Sequence, residues 1–149
     1  MRLLIITQYF WPENFRINDL ALGLNDKGID VTILTANPNY PNKEMYKHWK
    51  IDKYFNKMQV IRLPIISRGN NKISLLLNYF SFMFSGLFLG LKKLSNKNFD
   101  IIFVFQPSPI TSIIPAILIS KVKKAKLAIW VLDLWPDTLK PMGFLNFSY

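Results

Sequence analysis

Apolar residues are distributed along this chain in two rhythms. Leu3 to Ile6, Ile29 to Thr35, Met58 to Ile66, Asp100 to Phe105 and Lys126 to Leu132 are short, nearly unbroken apolar runs rich in β-branched residues. Runs without alternation suit strands buried on both faces of a parallel sheet. Pro64 ends the third run or sets it near an edge. Between the first two runs, Ile17, Leu20, Ala21 and Leu24 recur at helical spacing, and Gly28 stands where a C-terminal cap belongs. A second helix is predicted over "ITSIIPAILISKV", with Pro115 delaying its first turn. Residues 36–57, with two prolines, lysines and aromatics but no period, read as a long loop. Strands alternating with helices predict an α/β fold, a Rossmann-like, doubly wound and mainly parallel sheet whose ligands lie at the strands' carboxyl ends.

The pattern changes at Ile73 to Leu91, "ISLLLNYFSFMFSGLFLGL", nineteen residues without a charge between Lys72 and the pair Lys92 and Lys93. Its length suffices to span a bilayer. Against a span, Ser74, Asn78, Ser81 and Ser85 line one helical face while Leu, Phe and Met cover the rest, which suits a helix packed on a sheet or one lying at a membrane interface. Lys72, Lys92 and Lys93 would then meet anionic headgroups, and peripheral attachment is expected.

With 149 residues the chain has the size of one domain. It has no cysteine and one histidine, His48, so thiolate or histidine metal sites and a disulfide framework are not expected. The apolar run after Arg2 is too short for a signal peptide and reads as the first strand of a cytoplasmic protein. The net charge of +10 is concentrated in residues 41–99, which hold eleven basic and two acidic groups. Such a patch favours an anionic partner, unless it is only a solubilising surface.

Glycine-rich nucleotide loops, zinc-protease and serine-hydrolase signatures are missing, as are nucleic-acid-binding modules, so no cofactor and no nucleic acid is expected. Three loops on one edge of the predicted sheet could carry chemistry. In "QYFWPEN", Glu13, Asn14 and Arg16 stand at a helix start, where free N–H groups and a guanidinium suit an anion; alternatively Asn14 only caps the helix and Arg16 faces solvent. In "QPSP", two prolines fix a rigid exit while Gln106 and Ser108 offer polar tips. In "DLWPD", Asp133 could bond a sugar hydroxyl and Trp135 stack on a sugar face, or Asp137 caps a helix and Trp135 fills a core.

The order of "IITQYFWPE", "INDLALGLNDKGIDVTILTANPNYP", "FDIIFVFQPSP" and "WVLDLWPD" resembles the N-terminal domain of family 4 glycosyltransferases of the GT-B fold, within them the WbuB-type L-fucosamine transferases of bacterial surface-polysaccharide synthesis. The resemblance runs from the first residues to about Pro141. It implies a retaining transfer of a sugar, N-acetyl-L-fucosamine in that branch, from a nucleotide sugar to a lipid-linked acceptor in O-antigen or capsule synthesis. It further implies a peripheral protein on the inner face of the plasma membrane, with residues 1–149 as the acceptor-side domain.

Two departures bear on the site. Asn14 and Phe15 stand where many family members have Gly-Gly in the first loop, and Leu132 stands where many have histidine, which leaves Asp133 as the candidate catalytic group. The family's paired glutamates, seven residues apart in the donor-binding domain, are not found, since the chain has only Glu13 and Glu44. The expectation is a remnant, a split-gene half or an excised domain that does not transfer sugar alone. The alternative is a membrane-associated binding or scaffold subunit.

Overall fold

Each of the five apolar runs becomes a strand in the computed structural model, which describes residues 1–50, 52–69, 71–107 and 110–132. The strands are β1 (Arg2–Ile6), β2 (Asp30–Ala36), β3 (Tyr54–Phe55), β4 (Met58–Leu63), β5 (Ile101–Gln106) and β6 (Lys126–Val131). The helices are α1 (Arg16–Asp26), α2 (Lys72–Ser85), α3 (Leu91–Lys93) and α4 (Ile113–Lys123), and a π-helical stretch, Gly86–Gly90, joins α2 to α3. The sheet order is β3-β4-β2-β1-β5-β6, parallel throughout except for the β3–β4 pair. This is the doubly wound, mainly parallel α/β sheet that the alternation of runs predicts.

Register explains the two cores. Leu4 pairs with Ile102 and Ile6 with Val104, and these side chains share one face with Phe82 of α2 and Ala116 and Ile119 of α4. Leu3 and Ile5 point the other way, with Val31, Ile33, Val60 and Phe105, and bury Ile17 and Ala21 of α1. Because side chains alternate along a strand, two adjacent apolar residues serve two layers, so the runs of β1, β2, β4 and β5 are nearly unbroken, whereas β6, with β5 as its sheet partner, leaves Ile129 and Val131 exposed. Gly28, at φ +81, ends α1 with its N–H on the Asn25 carbonyl, the left-handed cap position expected of it. Pro64 directly follows β4, and Pro115 sits in the first turn of α4, where a missing N–H costs nothing.

Within the loop predicted for residues 36–57, the structure adds a 3₁₀ turn at Lys43–Tyr46 and the short strand β3. β3 forms a hairpin with β4 through Asn56 and Lys57, both with positive φ. A two-residue hairpin needs that backbone. Asn-Lys is a weak sequence signal for it, and the strand is only two residues long.

The largest difference concerns α2. Asn78, Phe82, Gly86 and Gly90 form its buried stripe. Ser81 Oγ accepts from the Ile66 amide at 2.9 Å, and Ser85 Oγ donates to the Pro64 carbonyl at 2.5 Å. The polar stripe thus faces inward onto the exposed backbone after β4. Ile73, Leu76, Leu77, Phe80, Phe84 and Phe88 face outward and are exposed. A Cβ on Gly86 would lie 2.8 Å from Cβ of Pro115, so the helix can approach α4 only through glycine.

Candidate functional site

The chain leaves β1 toward α1 on one face of the sheet and leaves β5 toward α4 on the other, although the two strands are neighbours. Such a divergence opens a crevice at the carboxyl ends, the usual ligand position in doubly wound sheets. The β1–β2 ladder continues past β1, with Thr7 N–H on the Leu34 carbonyl and Ala36 N–H on the Gln8 carbonyl. Carrying the register Ile6–Val104 two residues further sets Gln8 level with Gln106, on the face of α2 and α4.

Gln8 is held from one side. Its Nε2 donates to Asn78 Oδ1 at 2.7 Å, while Asn78 Nδ2 donates to the Ile66 carbonyl at 2.6 Å and to Asn39 Oδ1 at 3.1 Å. Asn39 Oδ1 also accepts from the Arg68 amide. This amide chain ties the loops after β1, β2 and β4 to α2. At its free end, the Oε1 atoms of Gln8 and Gln106 are buried without a donor among the described residues, as is Thr111 Oγ1 in the turn Ile110–Ser112. A buried carbonyl without a partner costs about 1–3 kcal/mol. Two acceptors and a hydroxyl at a switch point are suited to a ligand rich in O–H or N–H donors.

The first loop is built around Glu13, which is 1% exposed. Its Oε1 accepts from the Asn39 and Tyr40 amides at 2.8 and 2.7 Å, and its Oε2 from the Phe10 amide at 3.2 Å. Burial pushes its pKa above the usual carboxylate range, partly offset by those three bonds and by Arg62. Arg62, itself buried, donates to the carbonyls of Ala36 and Trp11 and stacks on Trp49 with its guanidinium 4.8 Å from the ring centre. Desolvation lowers its pKa to about 10 against the attraction of Glu13 and Asp52. Asn18 completes the loop, accepting from Trp11 N–H and donating to the Glu13 carbonyl. Tyr9 stacks on Phe15 at 5.1 Å and Trp11 on Phe55 at 5.4 Å, so the aromatics pack against one another.

Of the residues singled out in the sequence, Gln106 lies at the crevice with its side-chain oxygen unpaired among the described residues. Glu13 is close by, but both its oxygens are occupied inside the loop, where it acts as a structural hub. Asn14 and Arg16 are exposed, and the cap residue of α1 is Phe15 without a side-chain bond, so Asn14 does not cap the helix. Ser108, Asp133, Trp135 and Asp137 lie outside the described residues. Lys72 begins α2; Lys92 and Lys93 form its far end with α3, and Lys93 Nζ donates to the Arg62 carbonyl at 2.7 Å. Gln8 and Asn39 were not singled out in the sequence, and Asn78 only as part of the polar stripe of its helix. A shared signal was present, since Gln8 and Gln106 both stand where an apolar run turns polar. A second concavity of about 520 Å³ lies beside β4 where β3 leaves its edge uncovered, lined by Lys53, Arg62, Lys93, Asp52 and Gln59 among others.

The chain is similar in structure to CalG4, the calicheamicin glycosyltransferase, with a TM-score of 0.58 and 10% identity over 97% of this chain and 38% of that one. It is also similar to the C-terminal domain of PF1911 hydrogenase from Pyrococcus furiosus, with a TM-score of 0.53 and 14% identity over 86% of this chain and 89% of that domain. No family model and no curated protein sequence matches. At such identities the likeness establishes the fold, the Rossmann-like sheet found in a GT-B glycosyltransferase. The chain spans little more than a third of that enzyme. One sheet serving a glycosyltransferase and part of a hydrogenase makes the site, rather than the fold, the ground for a functional reading.

Proposed function

We propose that this chain is the acceptor-side domain of a retaining glycosyltransferase of the family 4 type, moving a sugar from a nucleotide sugar to a lipid-linked saccharide acceptor in surface-polysaccharide synthesis. The observation that carries the reading is the pair of buried glutamine oxygens, without a donor among the described residues, at the switch point of a sheet shared with a glycosyltransferase. Sugar hydroxyls are the donors such oxygens lack. Gln8 and Gln106 would hold acceptor hydroxyls, and Asp133, the residue after Leu132, would orient the reacting one. Leu132 N–H already donates to the Gln106 carbonyl at 3.1 Å, which keeps the two loops together in the chain's own bonding.

In the proposed step the bond from the sugar's anomeric carbon to the leaving phosphate oxygen breaks and a bond to the acceptor oxygen forms. The acceptor proton passes to the leaving phosphate, so the domain must supply position rather than a strong base. The nucleotide sugar would be held by a donor-binding domain, within this protein or from a partner.

The test is a transfer assay of the chain with and without a donor-binding domain from a relative, using a nucleotide sugar and a lipid-linked acceptor. Turnover is expected only in the complemented mixture. Gln106→Ala and Asp133→Ala should each raise KM for the acceptor or lower kcat at least tenfold, and unchanged kinetics in both would remove the reading. A non-catalytic binding subunit is the second reading, since the same fold also serves a domain of a hydrogenase, at a TM-score of 0.53. It predicts saccharide binding without turnover in any mixture.

A further inference from the structure

Helix Lys72–Lys93 is long and apolar enough to cross a membrane, and it is built the reverse of an ordinary surface helix. Its amide and hydroxyl groups point at the protein, where Asn78, Ser81 and Ser85 bond to backbone of residues 64–66. Its large apolar side chains point out. Ile73 and Phe88 are 70% and 72% exposed, and Leu76, Leu77, Phe80 and Phe84 lie between them on one stripe, running about 22 Å along the helix. Neighbouring α4 adds Ile114 and Ile117, also exposed. A continuous apolar face of this size marks an interaction surface.

Charge selects the occupant. From residue 53 to residue 99 the chain has Lys53, Lys57, Arg62, Arg68, Lys72, Lys92, Lys93 and Lys97 and no acidic residue. Lys72 and Lys92 stand at the two ends of the apolar stripe and have no partner among the described residues. A second copy of this chain would bring an equally basic rim against this one, and the repulsion opposes a twofold pairing. A full span would strip Asn78 and the two serines from their backbone partners and expose Phe82, which is fully buried. An anionic lipid surface satisfies both features at once: phenylalanines and leucines enter the acyl boundary while the lysines meet headgroups.

We infer that the outward face of this helix seats the protein on an anionic membrane surface, such as a cytoplasmic leaflet, with Phe80, Phe84 and Phe88 inserted and Lys72 and Lys92 at the rim. This goes beyond the glycosyltransferase reading and does not need it. A lipid seat without sugar transfer and sugar transfer without a lipid seat are separate outcomes of separate assays.

The experiment is flotation of the full chain with vesicles of phosphatidylcholine containing phosphatidylglycerol, and with phosphatidylcholine alone, at low and high salt. Binding is expected to the anionic vesicles and to weaken as salt rises. Phe84→Ser with Phe88→Ser should weaken it by about tenfold or more, and Lys72→Gln with Lys92→Gln by about tenfold at low salt. Both pairs lie on the surface, and their thermal unfolding should match the parent; should the phenylalanine pair fail to fold, the lysine pair decides. No binding to anionic vesicles at low salt, or unchanged binding in a folded variant pair, overturns the inference. So does a discrete dimer in sedimentation that Phe84→Ser with Phe88→Ser converts to monomer.

Discussion

Glu13 shows how much one side chain can determine. It lies in the loop after β1 and accepts bonds from three amides on two loops. A glutamine there keeps one acceptor oxygen and turns an NH₂ toward another N–H, so Glu13→Gln should destabilise the fold by about 1–3 kcal/mol, read from urea midpoints. The charge has its own signature. Burial raises the carboxyl above its unfolded pKa, so the folded state holds the proton longer than the unfolded one. Its favourable contribution is therefore full below the ordinary carboxylate pKa and is lost as pH rises through the raised one. Subtracting the stability–pH profile of Glu13→Gln should leave a fall across that window, and a difference independent of pH would contradict the assignment. Asn78 is the second such residue. Asn78→Leu leaves Gln8 Nε2 and the Ile66 carbonyl unpaired and should cost about 2–4 kcal/mol.

At the scale of elements, two helical glycines should respond in opposite directions. Gly86 meets the rigid ring of Pro115, so Gly86→Ala must push α4 from the α2–π segment and should destabilise by about 1–3 kcal/mol. Gly23, in α1, faces open space, and Gly23→Ala should stabilise by about 0.5–1 kcal/mol. Melting temperatures of the two variants check both signs. The same pair probes the inward polar face of α2, because only a helix lying this way up brings Gly86 against α4.

For the whole molecule, the strand order sets a gradient of protection. β1 and β2 are flanked by strands on both sides and covered on both faces, whereas β3 has two residues and β6 has β5 as its sheet partner. Native-state amide exchange should be slowest in β1 and β2 and fastest in β3, with β6 between. Equal protection of β6 and β1 would contradict the order. The excess of basic residues between 53 and 99 falls on the elements around the exposed helix face and the groove beside β4, so charge and apolar surface meet on one side of the protein.

The strands, the doubly wound class, the helix closed by Gly28 and the break at Pro64 were legible in the sequence, because burial on both faces, helical period and backbone permission are local demands that each segment answers by itself. Gln106 was legible as a polar tip after a buried strand. Its partnership with Gln8 was not, since it depends on β1 lying beside β5, a neighbourhood set by the crossover from β4 past β2 and β1. Glu13 was visible as a charge at a helix start, but that its oxygens close a loop followed from amides of residues 39 and 40 arriving from β2. The reversal of α2 was hidden for the same reason. Periodicity determines that a helix has a polar and an apolar face, and only the unpaired backbone of residues 64–66, brought beneath it by the fold, decided that the polar face turns inward.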